Sequence, residues 1–281
     1  MTPGDLSQGV VLALGGGGIR GAAHLGVLAE FENCGAEVRG IAGTSSGALM
    51  GALWLLNGAE PAIRLVKAFL TRGMGDEGPD LEGTAGGHGS SGWRRLRHAL
   101  TLARVTLLGT PISHKRFFER IACLLPDIDI EALPRPFVVT ATDSITGREV
   151  RLTRGSLRLA VAASSAMPGL VRPFMWAGRP LQDGGAVAEI PVAAARELGS
   201  PVVAVEVSEA LTRYERGSDR APRVFFRVAA MGWQELRRRI LAEADVVIAP
   251  AVNHLHWGDY PAFDEAVQAG RVAARRFLDQ T

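Results

Sequence analysis

Apolar residues along this chain fall into two patterns. Short runs rich in apolar residues at Val10–Leu14, Ala36–Gly43, Phe137–Thr142, Val202–Val207 and Val246–Ala249 read as strands, Val10–Leu14 of the kind buried on both faces. Between and after them, apolar positions recur at helical spacing. Ala22–Asn33 carries Leu25, Leu28, Ala29 and Phe31, and Gly47–Gly58, Val192–Leu198 and Phe263–Leu278 read as further helices. The order strand, glycine loop, helix, strand, tight turn, helix predicts an α/β fold wound around a mainly parallel sheet. The middle of the chain departs from this rhythm. Gly73–Gly92 is rich in glycine and has no apolar period, so a mobile loop is expected there. In Trp93–Arg104, Trp93, Leu96, Leu100 and Ala103 share one helical face among arginines. This predicts a lid helix with an interfacial character. No repeat is visible, and residues 8–281 are expected to form one domain with residues 73–104 as an insertion.

Composition narrows the function. The chain has 281 residues, 47% of them hydrophobic, enough for one sizeable core, and a net charge of only +2, which argues against a nucleic-acid partner. Its basic residues are nearly all arginine; Lys67 and Lys115 are the exceptions. Cys34 and Cys123 are far apart with no CxxC companion, so neither a metal site nor a disulfide framework is expected. The N-terminus lacks a basic segment followed by an apolar one. The longest apolar stretch, residues 47–56, is far short of the ~20 residues of a membrane span. A cytoplasmic protein with peripheral membrane contact is the resulting expectation.

The chemistry begins at Gly15–Gly18, where the first strand run breaks into four glycines. Bare amides at a helix start make an anion site, and Gly16, Gly18 and Gly21 match G-x-G-x-x-G, the dinucleotide fingerprint. That reading needs a carboxylate at the end of the second strand, and Ile41–Thr44 offers none. A P-loop fails as well, since Ala22 and Ala23 follow Gly21. Instead the second strand ends in Gly43-Thr44-Ser45-Ser46-Gly47, a G-x-S-x-G turn. In such a turn the flanking Gly43 and Gly47 permit the strain that lifts the middle serine out of the chain. A serine nucleophile also needs N–H donors aimed at the oxyanion of the tetrahedral intermediate. The amides of Gly16, Gly17, Gly18 and Ser46 are the candidates. The anion is then a transient oxygen, not a phosphate.

Ser45 requires a base, and the residues alone leave two. Asp183, in Leu181–Pro191, stands between an apolar run and two glycines; its bland alternative is an Asp-Gly hairpin turn. A Ser-Asp-His esterase would use His254 or His256, both in a loop-like segment. Arg20 lies at a helix start, where a cation is disfavoured, which points to a role in holding the loop or meeting an anion. Ser164, Ser165 and Pro168 read as pocket wall and turn. A non-catalytic nucleotide- or lipid-binding protein is the rival of a different class.

Taken together, GGGIRG (Gly16–Gly21), GTSSG (Gly43–Gly47), AASSAMPGLVRPF (Ala162–Phe174) and DGG (Asp183–Gly185) closely resemble the patatin-like phospholipase family. TATDSITG (Thr140–Gly147) and ADVVIAP (Ala244–Pro250) add to the likeness. The resemblance implies a three-layer α/β/α sandwich and a Ser45–Asp183 dyad. It also implies an oxyanion loop of Gly16, Gly17, Gly18 and Arg20, and cleavage of acyl-ester lipids without metal or cofactor. The chain departs from the family where asparagine-rich residues usually follow DGG, reading Ala186 to Ile190 instead.

Overall fold

The computed structural model describes residues 9–73, 112–209 and 221–279. Its centre is one mixed sheet of eight strands. β1 (Val10–Leu14), β2 (Val38–Thr44), β3 (Phe137–Asp143), β7 (Val202–Val205) and β8 (Val246–Ile248) run parallel in the order β3-β2-β1-β7-β8. β4 (Glu149–Leu152), β5 (Phe174–Trp176) and β6 (Arg179–Asp183) extend it beyond β3. β4 and β6 run antiparallel to β3, and β5 pairs antiparallel with β6.

Alternation along β1 builds the layers. Val10, Leu12 and Leu14 face one core, and Val11 and Ala13 face the other. The larger core is closed by α1 (Ala22–Asn33), α2 (Ser46–Asn57), α3 (Ala59–Gly73), α4 (His114–Leu124), α5 (Leu157–Ser164) and α8 (Phe263–Leu278). The smaller takes α6 (Val192–Leu198) and the end of α7 (Ala221–Leu241). Helices thus lie on both faces of a mostly parallel sheet, as the resemblance implied. Each strand and helix expected from the apolar pattern within the described residues is present, its ends shifted by a few residues at most. The pattern did not disclose α3, α4, α5, α7 or the antiparallel strands. Apart from Gly73, which closes α3, the glycine-rich segment and the expected helix Trp93–Arg104 lie outside the described residues.

The junction at β3 positions the site. Thr140 pairs with Thr44 of β2 and with Arg151 of β4; Ala141 pairs with Asp183 of β6 and with Val150 of β4. A strand has two edges. With β4 along one, β2 and β6 must share the other, end to end. β2 runs parallel to β3 and β6 antiparallel, so their C-terminal ends meet at the Thr140–Ala141 step. The residue after β2 and the last residue of β6 are therefore brought face to face.

Candidate active site

Those two residues are Ser45 and Asp183. Ser45 connects β2 to α2 with φ 53° and ψ −120°, a conformation a non-glycine residue holds only when its surroundings enforce it. The flanking glycines are what the enforcement requires. A Cβ on Gly43 would stand 2.6 Å from Ala48 Cα, and one on Gly47 would collide with the Leu14 carbonyl. The turn also places Ser45 at the N-terminus of α2, where the helix dipole favours negative charge.

Asp183 is 7% exposed and ends β6 against β3, so it is not part of a hairpin turn. The hairpin lies earlier, at Ala177-Gly178, both with positive φ. One carboxylate oxygen of Asp183 accepts the Gly185 amide at 2.7 Å, and the Ser45 hydroxyl lies near enough to draw the carboxylate's pKa down. Burial pushes its pKa from 3.8 up to about 6, against the pull of the Gly185 amide and the Ser45 hydroxyl; the charge of Glu189 adds to the rise. Gly184, the next residue, lies against the Thr140 carbonyl.

The Ala162–Phe174 motif braces both groups. Ser164 Oγ accepts the Ser45 amide at 2.8 Å and donates to the Thr140 carbonyl at 2.6 Å. The Ala166 carbonyl accepts the Asp183 amide at 3.0 Å. Ser165 is half-buried in the turn after α5, and Pro168 is exposed there, so Pro168 forms the turn and not a pocket wall. On the other side, Thr44 Oγ1 donates to the Ala188 carbonyl at 2.8 Å and bonds Thr140 Oγ1. This ties β2 to the loop after Asp183.

The glycine loop lies alongside. A Cβ on Gly16 would sit 3.4 Å from Ser45 Cβ. The Gly16 amide, expected among the oxyanion donors, is bonded to the Glu189 carbonyl at 2.8 Å. It is held by the loop after Asp183 and is not free to donate. The Gly17, Gly18 and Ser46 amides have no bonded acceptor among the described residues. Gly18 has φ +60°, and a side chain there would strike the Trp257 carbonyl. The Trp257 carbonyl itself accepts the Ile19 amide at 2.8 Å.

Arg20 is 5% exposed. Its guanidinium donates to the Val207 and Leu255 carbonyls at 2.9 and 3.1 Å and pairs with Glu209 at 3.2 Å. It acts as a strut under the loop. Sequence reasoning gave His24 no role. His24 is fully buried on α1, and its Nε2 lies 2.7 Å from the Gly15 carbonyl, so Nε2 carries the proton. Burial lowers its pKa to about 4. The one sequence signal was a histidine set among the apolar residues of Ala22–Ala29. His254 pairs with Glu265 at the surface, 2.8 Å apart, and His256 accepts the Gly258 amide through Nδ1.

A hydroxyl on a strained strand-to-helix turn thus lies beside a buried carboxylate and amides without a bonded acceptor among the described residues. Residues 12–196 match the family model of the patatin-like phospholipases, and the chain belongs to that family of lipid acyl hydrolases. It is 28% identical over 219 residues to an uncharacterised NTE family protein of Mycobacterium tuberculosis, covering 78% of this chain and 52% of that protein. It is 32% identical over 197 residues to mouse patatin-like phospholipase domain-containing protein 7, covering 69% of this chain and 13% of that one. The chain thus spans about half or less of these relatives. The fold is also shared with VipD of Legionella pneumophila, with a TM-score of 0.51, 15% identity, and coverage of 97% of this chain and 66% of that one.

Proposed function

We propose that this protein is a serine acyl hydrolase of phospholipase, lysophospholipase or carboxylesterase type, cleaving acyl-ester lipids through a Ser45–Asp183 dyad. The observation that carries the reading is the Ser45 hydroxyl, lifted on a strained turn, set beside a buried carboxylate whose pKa is raised to about 6. Such a carboxylate is ionised at neutral pH yet is a far better proton acceptor than an ordinary aspartate.

Ser45 Oγ attacks the ester carbonyl while its proton passes to Asp183. The carbonyl oxygen becomes an oxyanion within reach of the Gly17, Gly18 and Ser46 amides. Collapse expels the alcohol, which takes the proton from Asp183 and leaves the acyl chain on Ser45. Water then attacks the acyl-enzyme, gives a proton to Asp183 and releases the fatty acid as Ser45 regains its hydrogen.

Fluorophosphonate labelling followed by peptide mapping tests the proposal. Ser45 should carry the label, Ser45→Ala should abolish it, and Asp183→Asn should slow it strongly. Labelling that survives Asp183→Asn but disappears in His254→Ala or His256→Ala would replace the dyad by a histidine-dependent mechanism. Absence of labelling at Ser45 would favour a binding protein.

A further inference from the structure

Ten large hydrophobic residues are conspicuously exposed among the described residues, and six of them lie on α7. That concentration is not the scattered exposure of an ordinary surface. Val224, Val228 and Met231, spaced i, i+4, i+7, share one face and are 45%, 61% and 44% exposed. Trp233, five residues from Val228 and so about 140° around the helix, is 53% exposed. A helix lying flat on its protein buries one side. This one buries none of its described side chains from 224 to 236.

The end of α7 is anchored on the body of the protein. Ile240 and Leu241 pack on the smaller core, and Arg237 bonds Glu189 at 3.0 Å, Glu206 at 3.5 Å and the Glu209 carbonyl at 3.1 Å. Glu206 follows β7 directly, so Arg237 sits at the sheet edge where the strands end and Ser45 lies. From Arg237 back to Val224 is about 20 Å of helix, leading away from that anchor.

We infer that this exposed part of α7 is a docking helix for an anionic membrane surface. The charge on the helix selects that partner. With Arg237 held by Glu189 and Glu206, Ala221–Leu241 still has four other arginines against one glutamate, Glu235, while the whole chain is only +2. An arginine-rich helix with exposed valines and an indole matches the boundary between acyl chains and anionic headgroups. A second copy is the weaker fit, because a two-fold contact would set two arginine-rich helices side by side. The helix does not cross the bilayer: no described helix is long and apolar enough. Docking would present the end of the sheet that carries Ser45 to lipid still in its leaflet.

Sedimentation with vesicles tests this on Ser45→Ala protein, so that docking is read whether or not the hydrolase reading holds. Vesicles of phosphatidylcholine mixed with phosphatidylglycerol should bind it at least about tenfold more tightly than phosphatidylcholine alone, given about fivefold per basic residue at the surface. Adding Val228→Asp with Trp233→Asp, or separately Arg238→Gln with Arg239→Gln, should weaken binding by about tenfold or more. Circular dichroism should be unchanged, since all four side chains are exposed. Undiminished binding by both double variants would overturn the inference, as would equal binding to the two vesicle types. A parent dimer that the aspartate variant converts to monomer would assign the face to a second copy instead.

Discussion

Replacing Asp183 by asparagine should disarm the site and strengthen the fold, in a way that depends on pH. The folded protein raises the Asp183 pKa from 3.8 to about 6. At about 1.4 kcal/mol per unit, the folded state holds the ionised carboxylate about 3 kcal/mol less favourably than the unfolded chain does. The raised value means that protonated Asp183 favours folding. Its contribution is complete below about pH 4 and is lost as pH rises through about 6. Asparagine keeps an oxygen for the Gly185 amide and removes the charge. Asp183→Asn should therefore match the wild type near pH 4 and exceed it by about 3 kcal/mol above pH 7.

Wild-type titration alone would hide this. Buried His24, lowered from 6.5 to about 4, gives the opposite trend at a similar size: its stabilisation is present above about pH 6.5 and is lost toward pH 4. The assay is paired urea unfolding of both proteins across that range, alongside kcat/KM on a soluble p-nitrophenyl ester. Activity should fall about a thousandfold in the variant, and the wild-type acid limb should lie near 6. A stability difference that does not change with pH, or an acid limb near 4, would refute the reasoning.

Other substitutions separate positioning from chemistry. Ser45→Gly should abolish labelling yet raise stability by about 1 kcal/mol, because glycine accepts φ 53° without strain; denaturant melts would register it. His24→Leu should cut kcat about tenfold with KM nearly unchanged and the acid limb unmoved, since it frees the Gly15 carbonyl without touching Asp183; His24→Gln, which keeps a donor, should recover part of the loss. Arg20→Lys should lower stability by about 2 kcal/mol or more in thermal or urea melts, because an ammonium group cannot replace the guanidinium fork that serves two carbonyls and Glu209.

The sequence made the parallel half of the sheet legible, since β1, β3 and β7 are buried along their whole length and β2 all but at Arg39, so that each writes itself as a short run rich in apolar residues. β6 did not announce itself. Arg-Pro-Leu-Gln-Asp has no apolar run, and only its pairing with β3 makes it a strand. For the same reason the choice between Asp183 and the histidines stayed open: it depends on two strand ends meeting across residues far apart in the chain. Ser164 read as pocket wall for want of any local sign that its hydroxyl would clamp the Ser45 amide. Gly16 was counted as a donor because a glycine-rich run does not say which of its amides is already bonded.

The end-to-end meeting of β2 and β6 has an evolutionary corollary. Both groups are indexed to one dipeptide of β3, so intervening loops can lengthen, shrink or acquire new specificity without disturbing the spacing between them. A one-residue slip of β6 would not be tolerated in that way, because it would turn the carboxylate to the opposite face. Diversification is thus free in the connections and forbidden in the register.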